Sequence, residues 1–500
     1  PSVVLVETAL LPETTIVGEG GRMPPATVIE NDAEGDVLAA NVFDPAEDGI
    51  DFYESLESML LQVNDAWAVG PTNLHGELPV VADGGANAGV LTPRGGIVVR
   101  PDDFNPERIL LDDVLTKMPE VPVGARFSRP ITGVLSYSFG NFKLLPSAVL
   151  PEFTGGVVSD TTFLRPSDHR ITVATFNVEN LDPNPLDGDD DTAAFGKLAR
   201  QIVNFMDSPD VIGLQEVQDD SGEIDDGTVS ADLTYVTLID AIAAAGGPAY
   251  DFREIAPLDK QEGGAPGGNI RVGFLFRTDR AIEFVDRPGG DAATAVAVVA
   301  GGSGPELSFS PGRIDPTNPA FEDSRRPLAG EFLVDGRKLF VVVSHFNSKG
   351  GDTGLFQRYQ PPVLGSEVRR LLQAEVVNDF VKSILALDPD ADVVVVGDLN
   401  DFQFSAPLEV LMAGGVLTDT MYALPVEERY TYVYEGNSQA LDHILVSPGL
   451  FKQLSGVDAV HLNAEFPVLN RPTDHDPVVA GFAFENVRLY LPLLSGGIAP

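Results

Sequence analysis

The run Val393-Val394-Val395-Val396-Gly397-Asp398-Leu399-Asn400-Asp401 decides how the chain folds. Four consecutive β-branched, uncharged residues predict a strand buried on both faces. A carboxylate and an amide follow at once, where such a strand ends, and that is where an open α/β sheet keeps its ligands. Alternate residues of an extended strand share a face, so Asp398 and Asn400 point at one target if the extended geometry continues. Taken alone the stretch also reads as a turn, because Gly-Asp and Asn-Asp are common turn formers. Recurrence of the same pattern elsewhere decides against that reading.

Working outward, strand-like and helical runs alternate from Ile171 onward. Strands are expected at Ile171–Phe176, Val211–Leu214, Ile270–Phe276, Lys338–Ser344, Asp392–Val396, Leu441–Val446 and Val478–Phe484. Helices are expected at Thr192–Met206, Asp232–Ala245, Gly365–Leu387 and Ala406–Ala413. This is α/β organisation. The Pro-rich segment Gly301–Arg326 reads as a long surface loop. The first 150 residues differ: short β-like pieces such as Leu60–Val63, Ala66–Val69, Gly96–Val99 and Val134–Phe139 are separated by turn residues, as in a barrel or sandwich, with one short helix at Asp51–Met59. The division is therefore a β-rich domain at 1–150, a linker at 151–166, an α/β domain at 167–485 and a tail at 486–500.

In the α/β half, chemistry-bearing residues collect at strand ends. Asn177 and Glu179 follow the first strand, Gln215 and Glu216 the second. His345, Asn347 and Lys349 follow the fourth, and Asp398 and Asn400 follow the valine run. Asp442 opens a further strand, and Asp474-His475-Asp476 stand just before Pro477. Singly, each has a plain structural account: Glu216 as a cap, His345 as a buried histidine, Asp474 and Asp476 as turn residues. Six strand ends carrying such groups have no structural account together. Oxygen donors dominate and soft ligands are lacking, which suits Mg²⁺, Mn²⁺ or Ca²⁺ better than zinc. With two histidines and a lysine added, the fitting chemistry is metal-assisted phosphodiester hydrolysis, in which a cation neutralises phosphoryl oxygens, one group activates water and another protonates the leaving oxygen.

Bulk composition narrows the setting. The 500 residues carry a net charge of −43 with no cysteine, so disulfide frameworks and thiolate metal sites are excluded. The acidity is spread along the chain: up to Arg165 there are 9 basic and 24 acidic residues, and beyond it 23 and 51. Such a surface draws divalent cations and repels polyanions, and it lacks the basic footprint of sequence-specific DNA binding. No apolar run is long enough for a transmembrane helix. A first residue of Pro rather than Met fits a removed signal peptide, hence an extracellular or cell-surface protein. The acidic run Asp187-Gly188-Asp189-Asp190-Asp191 reads as solvated helix-start charge, with a structural Ca²⁺ site as the alternative.

Thr175-Phe176-Asn177-Val178-Glu179-Asn180, Leu214-Gln215-Glu216-Val217, Ser344-His345-Phe346-Asn347-Ser348-Lys349, Gly397-Asp398-Leu399-Asn400, Leu441-Asp442-His443 and Thr473-Asp474-His475-Asp476-Pro477 resemble, in order, the six signature blocks of the endonuclease/exonuclease/phosphatase superfamily. Tyr137–Leu144 and Ser324–Leu328 further resemble large secreted bacterial nucleases of that family, whose N-terminal part is OB-like. The resemblance implies a four-layer α/β sandwich catalytic domain preceded by a small all-β domain. It implies that Glu216 binds a divalent metal, Mg²⁺ or Mn²⁺, with Asn177, Glu179 and Asp474 nearby. It implies that Asp398 orients or activates water, that Asn400 contacts the scissile phosphate, that His475 is a catalytic histidine oriented by Asp442, and that His345 stabilises the phosphate or protonates the leaving group. Lys349, Arg271 and Arg326 are the implied phosphate contacts.

Three functions compete at this stage. The first is a secreted, weakly sequence-selective nuclease acting on DNA or RNA. The second is a phosphoesterase for small or lipid phosphates, which shares the same blocks. The third is a surface or assembly protein whose apolar terminal segments, Val3–Val6 and Val487–Leu494, pair with neighbours as oligomer or filament contacts.

Overall fold

The computed structural model describes residues 13–40, 42–187, 191–302 and 304–484. The valine run is the strand Asp392–Asp398, buried at every position. Its alternation divides two cores: Val394 and Val396 face one cluster of apolar side chains, Val393 and Val395 another. Val341 and Val343 of the neighbouring strand share the first cluster, and Val342 the second.

The sheet built around it runs, in spatial order, Ile282–Phe284, Leu328–Val334, Arg337–His345, Asp392–Asp398, Asp442–Val446 and Thr418–Asp419, with Gly312–Arg313 added against Leu328–Val334. A second sheet runs Tyr250–Arg253, Arg271–Arg277, Val211–Val217, Arg170–Leu181, Val478–Ala483 and Leu454–Ala459. One apolar layer joins them face to face, with Val173, Val211, Phe274, Val341, Val396 and Ile444 all buried. Helices Thr192–Arg200 and Asp232–Ala244 cover the outer face of the second sheet, and Glu367–Leu387 and Ala406–Leu411 that of the first. Glu367–Leu387 does so through Ala374, Val377, Val381 and Ile384, a stripe at helical spacing. The result is helix, sheet, sheet, helix: a four-layer α/β sandwich.

The N-terminal part is all-β apart from short helical turns. Nine strands pair in the order Thr15–Val17, Leu60–Val63, Ile131–Ser138, Asn141–Pro146, Ile109–Asp112, Glu77–Val81, Trp67–Ala68, Ala125–Phe127 and Phe153–Gly155. An OB barrel has five. The two halves are stitched together by backbone as well as side chains. Asn437–Gln439 of the α/β half pairs in parallel with Ile97–Val98, and Gly35–Asp36 pairs with Tyr359–Gln360. Phe356 of the α/β half is buried in the N-terminal core, where Tyr53 and Phe142 contact its ring.

Several expectations need correction. The strand Phe153–Gly155 lies inside the stretch expected to be a linker. The short helix is Gly49–Glu54 rather than Asp51–Met59. The expected surface loop Gly301–Arg326 holds the strand Gly304–Leu307, paired with Val298–Gly301, and Gly312–Arg313, which joins the first sheet. Helix Thr192–Met206 is α-helical only to Arg200 and widens to a π turn at Gln201–Phe205. The terminal segments Val3–Val6 and Val487–Leu494, and residues 188–190 of the acidic run, lie outside the described residues.

A buried polar network joins the halves beneath the loop that carries His475. His461 is stacked on Tyr430 with ring centres 3.9 Å apart and faces Asp476 at 3.0 Å and Glu428 at 3.3 Å. Tyr430 donates to Glu465, and Arg94 of the N-terminal half pairs with the same carboxylate at 2.5 Å. Asp476 Oδ1 also accepts the N–H groups of Leu462, Asn463 and Ala464. Burial alone would hold His461 neutral, but Asp476 and Glu428 outweigh it and push the imidazole up to about 10.

Two expectations on stability follow. A Cβ at Gly397 would lie 1.8 Å from the Ser344 carbonyl oxygen, so Gly397→Ala should cost about 3 kcal/mol or more in urea unfolding. His461→Asn removes one partner of a buried charged pair and should cost about 3 kcal/mol at pH 6. Because the folded-state pKa is raised, that contribution is complete below about 6.5 and lost as pH rises through about 10. Unfolding midpoints of parent and variant should therefore converge between pH 7 and about 10; a gap independent of pH would disprove it.

Candidate active site

Strand register assembles the centre. His345 and Asp398 are neighbours on adjacent strands of the first sheet, and Asp398 is in turn opposite Asp442. Asn177 and Glu216 arrive from the facing sheet at the same rim. Asn177 Nδ2 donates to Glu216 Oε1 at 3.0 Å and to Asp398 Oδ2 at 3.2 Å, tying the two sheets together. His345 Nε2 is 3.7 Å from Glu216 Oε1 and 3.5 Å from Asp398 Oδ2. His475 Nδ1 meets Asp442 Oδ2 at 2.7 Å, and its Nε2 lies 3.8 Å from Asp398 Oδ2 and 3.8 Å from Asp474 Oδ1. Thr473 reaches across to the Asn177 carbonyl at 3.0 Å and so pins the loop bearing His475 to the second sheet.

The backbone here leaves ordinary geometry. Glu179, Asn180, Glu216 and Asn400 all have φ between 51° and 60°. For non-glycine residues this is a strained region that costs about 1–3 kcal/mol each and collects at functional sites. The pairing of Arg170–Leu181 with Val211–Val217 breaks register beyond Asn177, and that of Val211–Val217 with Arg271–Arg277 beyond Leu214, as each strand reaches the rim. The extended geometry after Asp398 therefore does not continue. Asn400 turns back instead, giving its N–H to Asp398 Oδ1 at 2.8 Å and its side-chain amide to the Phe346 carbonyl at 3.2 Å.

Burial and neighbouring charge set two histidines in opposite states. His345 is held neutral, well below its ordinary pKa, by burial and then by Arg325 and His475. Burial acts the same way on His475, but Asp442 and then Asp398 outweigh it and raise the imidazole well above its ordinary value. Burial, then the charges of Asp442 and Glu216 working against the attraction of His475, pushes the Asp398 carboxyl up to about 7.

A divalent cation fits these residues. Ligand atoms of Glu216, His345 and Asp398 lie within 4.8 Å of one another, as do those of Asp398, Asp442 and His475. Two carboxylates and one imidazole are a donor set for a hard or borderline cation. His345 Nδ1 and Asp442 Oδ1 are buried without hydrogen-bond partners among the described residues. Glu216 alone of the first triad is open to solvent, so an ion has a way in.

The structure brings together Asn177, Glu216, His345, Asp398, Asn400, Asp442, Asp474 and His475. Glu179 stands exposed at the rim, its charge felt with those of Asp474 and Arg471. The three implied phosphate contacts are engaged elsewhere. Lys349 pairs with Asp401 at 2.8 Å and lies 4.0 Å over the Phe402 ring. Arg271 is fully buried, with Glu254 at 3.4 Å and the Asn269 carbonyl at 2.9 Å. Arg326 spends its guanidinium on the carbonyls of Gln261, Ser324 and Pro316. Its neighbour Arg325 is the arginine beside the cluster, donating to the Phe346 carbonyl at 2.6 Å and acting electrostatically on Glu216, Asp398 and His345. Tyr432 was also missed in the sequence: its ring centre is 4.8 Å from that of His475, and its phenol is hydrogen-bonded to Asp474.

A sequence model of a domain of unknown function matches residues 16–155. No curated protein matches the chain. Similar solved structures include an endonuclease/exonuclease/phosphatase from Bacteroides vulgatus, with 17% identity over 63% of this chain and 99% of that one and a TM-score of 0.39. Another is a mannosyl-6-phosphatase from Bacteroides thetaiotaomicron, with 17% identity over 63% and 100% and a TM-score of 0.39. A third is D. rerio TDP2 complexed with a single-strand DNA product, with 19% identity over 63% and 99% and a TM-score of 0.37. The endonuclease/exonuclease/phosphatase family model matches residues 174–475, more than half of the sequence and the whole span from Asn177 to His475, and the chain belongs to that family of metal-dependent phosphoesterases.

Proposed function

We propose that the chain is a secreted, divalent-metal-dependent phosphodiesterase hydrolysing DNA or RNA with little sequence preference. The observation that carries this reading is the cross-sheet contact of Asn177, Glu216, His345, Asp398 and His475 at a single rim. Mg²⁺ or Mn²⁺ held by Glu216 beside Asp398 and His345 would supply charge neutralisation to the phosphoryl oxygens. The remaining chemistry belongs to the side chains. Asp398, held by the amide of Asn177 and the N–H of Asn400, takes a proton from the attacking water. As the new P–O bond forms and the old one breaks, His475 gives a proton to the leaving oxygen. Asp442 fixes the His475 ring and keeps it protonated for that purpose. Neutral His345 donates a hydrogen bond to a phosphoryl oxygen without adding charge, and Arg325 offsets the negative charge that builds there.

The chain lacks a basic footprint, which supports an enzyme that grips phosphate locally and does not read base sequence. The net charge of −43 also favours a second reading, a phosphoesterase for small or lipid phosphates, because a polyanion pays a repulsive cost to approach. Among the described residues no helix is long and apolar enough to cross a membrane.

Incubation with supercoiled plasmid in Mg²⁺ or Mn²⁺ should give nicked and then linear DNA. His475→Ala should lower the rate roughly 10²-fold or more while the unfolding midpoint holds. Absence of nicking in either metal, with turnover of bis-p-nitrophenyl phosphate or phospholipid retained, would move the assignment to the second reading. Arg325→Ala should lower kcat/KM by roughly tenfold more than Arg326→Ala; equal losses would remove Arg325 from the site.

A further inference from the structure

Three acidic side chains of the N-terminal half converge far along the chain from the catalytic centre. Glu30, Asp48 and Asp51 each contribute an oxygen, and the three lie within 4.8 Å of one another. Asp48 is 1% exposed, and its Oδ1 is buried with no hydrogen-bond partner among the described residues. A carboxylate oxygen so placed carries a large desolvation cost unless it is hydrogen-bonded or coordinates a metal. Its neighbours increase that cost: Asp32 and Asp44 add their charges to those of Glu30 and Asp51. Backbone donors hold the cluster in shape. Glu30 Oε1 accepts the N–H groups of Asp32 and Ala33 at 2.9 and 3.0 Å, and Asp51 Oδ2 accepts that of Asp44 at 2.6 Å.

We propose that Glu30, Asp48 and Asp51 form a structural calcium site, separate from the catalytic cation. All its donors are oxygens, and three oxygens within 4.8 Å of one another lie within the span that ligands at about 2.4 Å from one Ca²⁺ occupy. Soft and borderline metals have no ligand to prefer here, and Mg²⁺ demands tighter spacing at about 2.1 Å. Bound calcium cancels the repulsion that the orphaned oxygen now bears. It also clasps the segment from Glu30 to the helix Gly49–Glu54, whose Phe52 and Tyr53 are buried in the N-terminal core. Between these anchors, Gly35–Asp36 forms one of the strand pairings to the α/β half. The ion therefore stiffens the joint between the two halves.

Calcium binding to the full chain can be counted by equilibrium dialysis in a Glu216→Gln background, which removes the catalytic carboxylate. Asp48→Asn on that background should bind one Ca²⁺ fewer than its parent. About 1 mM Ca²⁺ should raise the parent Tm by roughly 4 °C or more and leave the Asp48→Asn Tm unmoved. Glu30→Gln gives the same readout should Asp48→Asn fold poorly. Unchanged stoichiometry in both variants overturns the proposal. So does an Asp48→Asn chain that is more stable than its parent by the same margin with and without Ca²⁺, which identifies a protonated Asp48 and no ion.

Discussion

A Cβ placed on Gly213 would lie 2.5 Å from Val396 Cγ2 and 3.0 Å from Val343 Cγ2. At that point the two sheets approach as closely as bare backbone against β-branched side chains permits. The spacing matters because the site belongs to neither sheet. Asn177 and Glu216 end strands of one, His345 and Asp398 end strands of the other, and hydrogen bonds of about 3 Å join them. A larger residue at 213 would force the layers apart, and the polar groups at the rim would lose contact before the apolar layer lost much of its burial.

Electrostatic separation is the second constraint. The chain is strongly acidic, and its centre gathers Glu216, Asp398, Asp442 and Asp474 in one small region. Buried positive charge there comes from His475 and Arg325, with Arg471 nearer the rim. The two histidines are kept in different protonation states by their surroundings: the Asp442 carboxylate meets His475, whereas burial and then the charge of Arg325 act on His345, whose Nδ1 has no partner among the described residues. Groups of one type thus take different parts, proton donor and neutral hydrogen-bonding partner, by environment alone.

Much of this was legible in the sequence, and what was not has physical reasons. Buried strands announce themselves through runs such as Val393–Val396, and the ends of those runs located the site. Leu328–Val334 escaped notice because Gly330 and Glu331 interrupt its apolar pattern; Glu331 is tolerated inside because Arg287 pairs with it at 2.6 Å. Strand order was not legible, since pairing partners lie up to hundreds of residues apart. Residue type identified His345, Asp398, Asp442 and His475, but orientation did not follow from type. Arg325 and Arg326 are adjacent, and only the fold decides which of them faces the carboxylates. Lys349 and Arg271 were given to phosphate by the family resemblance, and the fold pairs them with Asp401 and Glu254, contacts that residue type does not announce. Asn400 was read as sharing a face with Asp398 only if the backbone stayed extended, and its left-handed φ of 52° has no signature apart from asparagine's tolerance for it.

The hairpin Tyr432–Tyr434/Asn437–Gln439 borrows its outer neighbour from the other half of the molecule and runs on, within three residues, into Asp442. The oriented histidine pair is thus at one end of a ladder whose far rung is Ile97–Val98. A catalytic half released from its N-terminal companion would carry an unpaired β edge and a loosened ring-orienting aspartate together. The residues ahead of the span that the family model matches thus supply that span with a strand neighbour, and grafting it onto another protein would need a substitute strand at that edge.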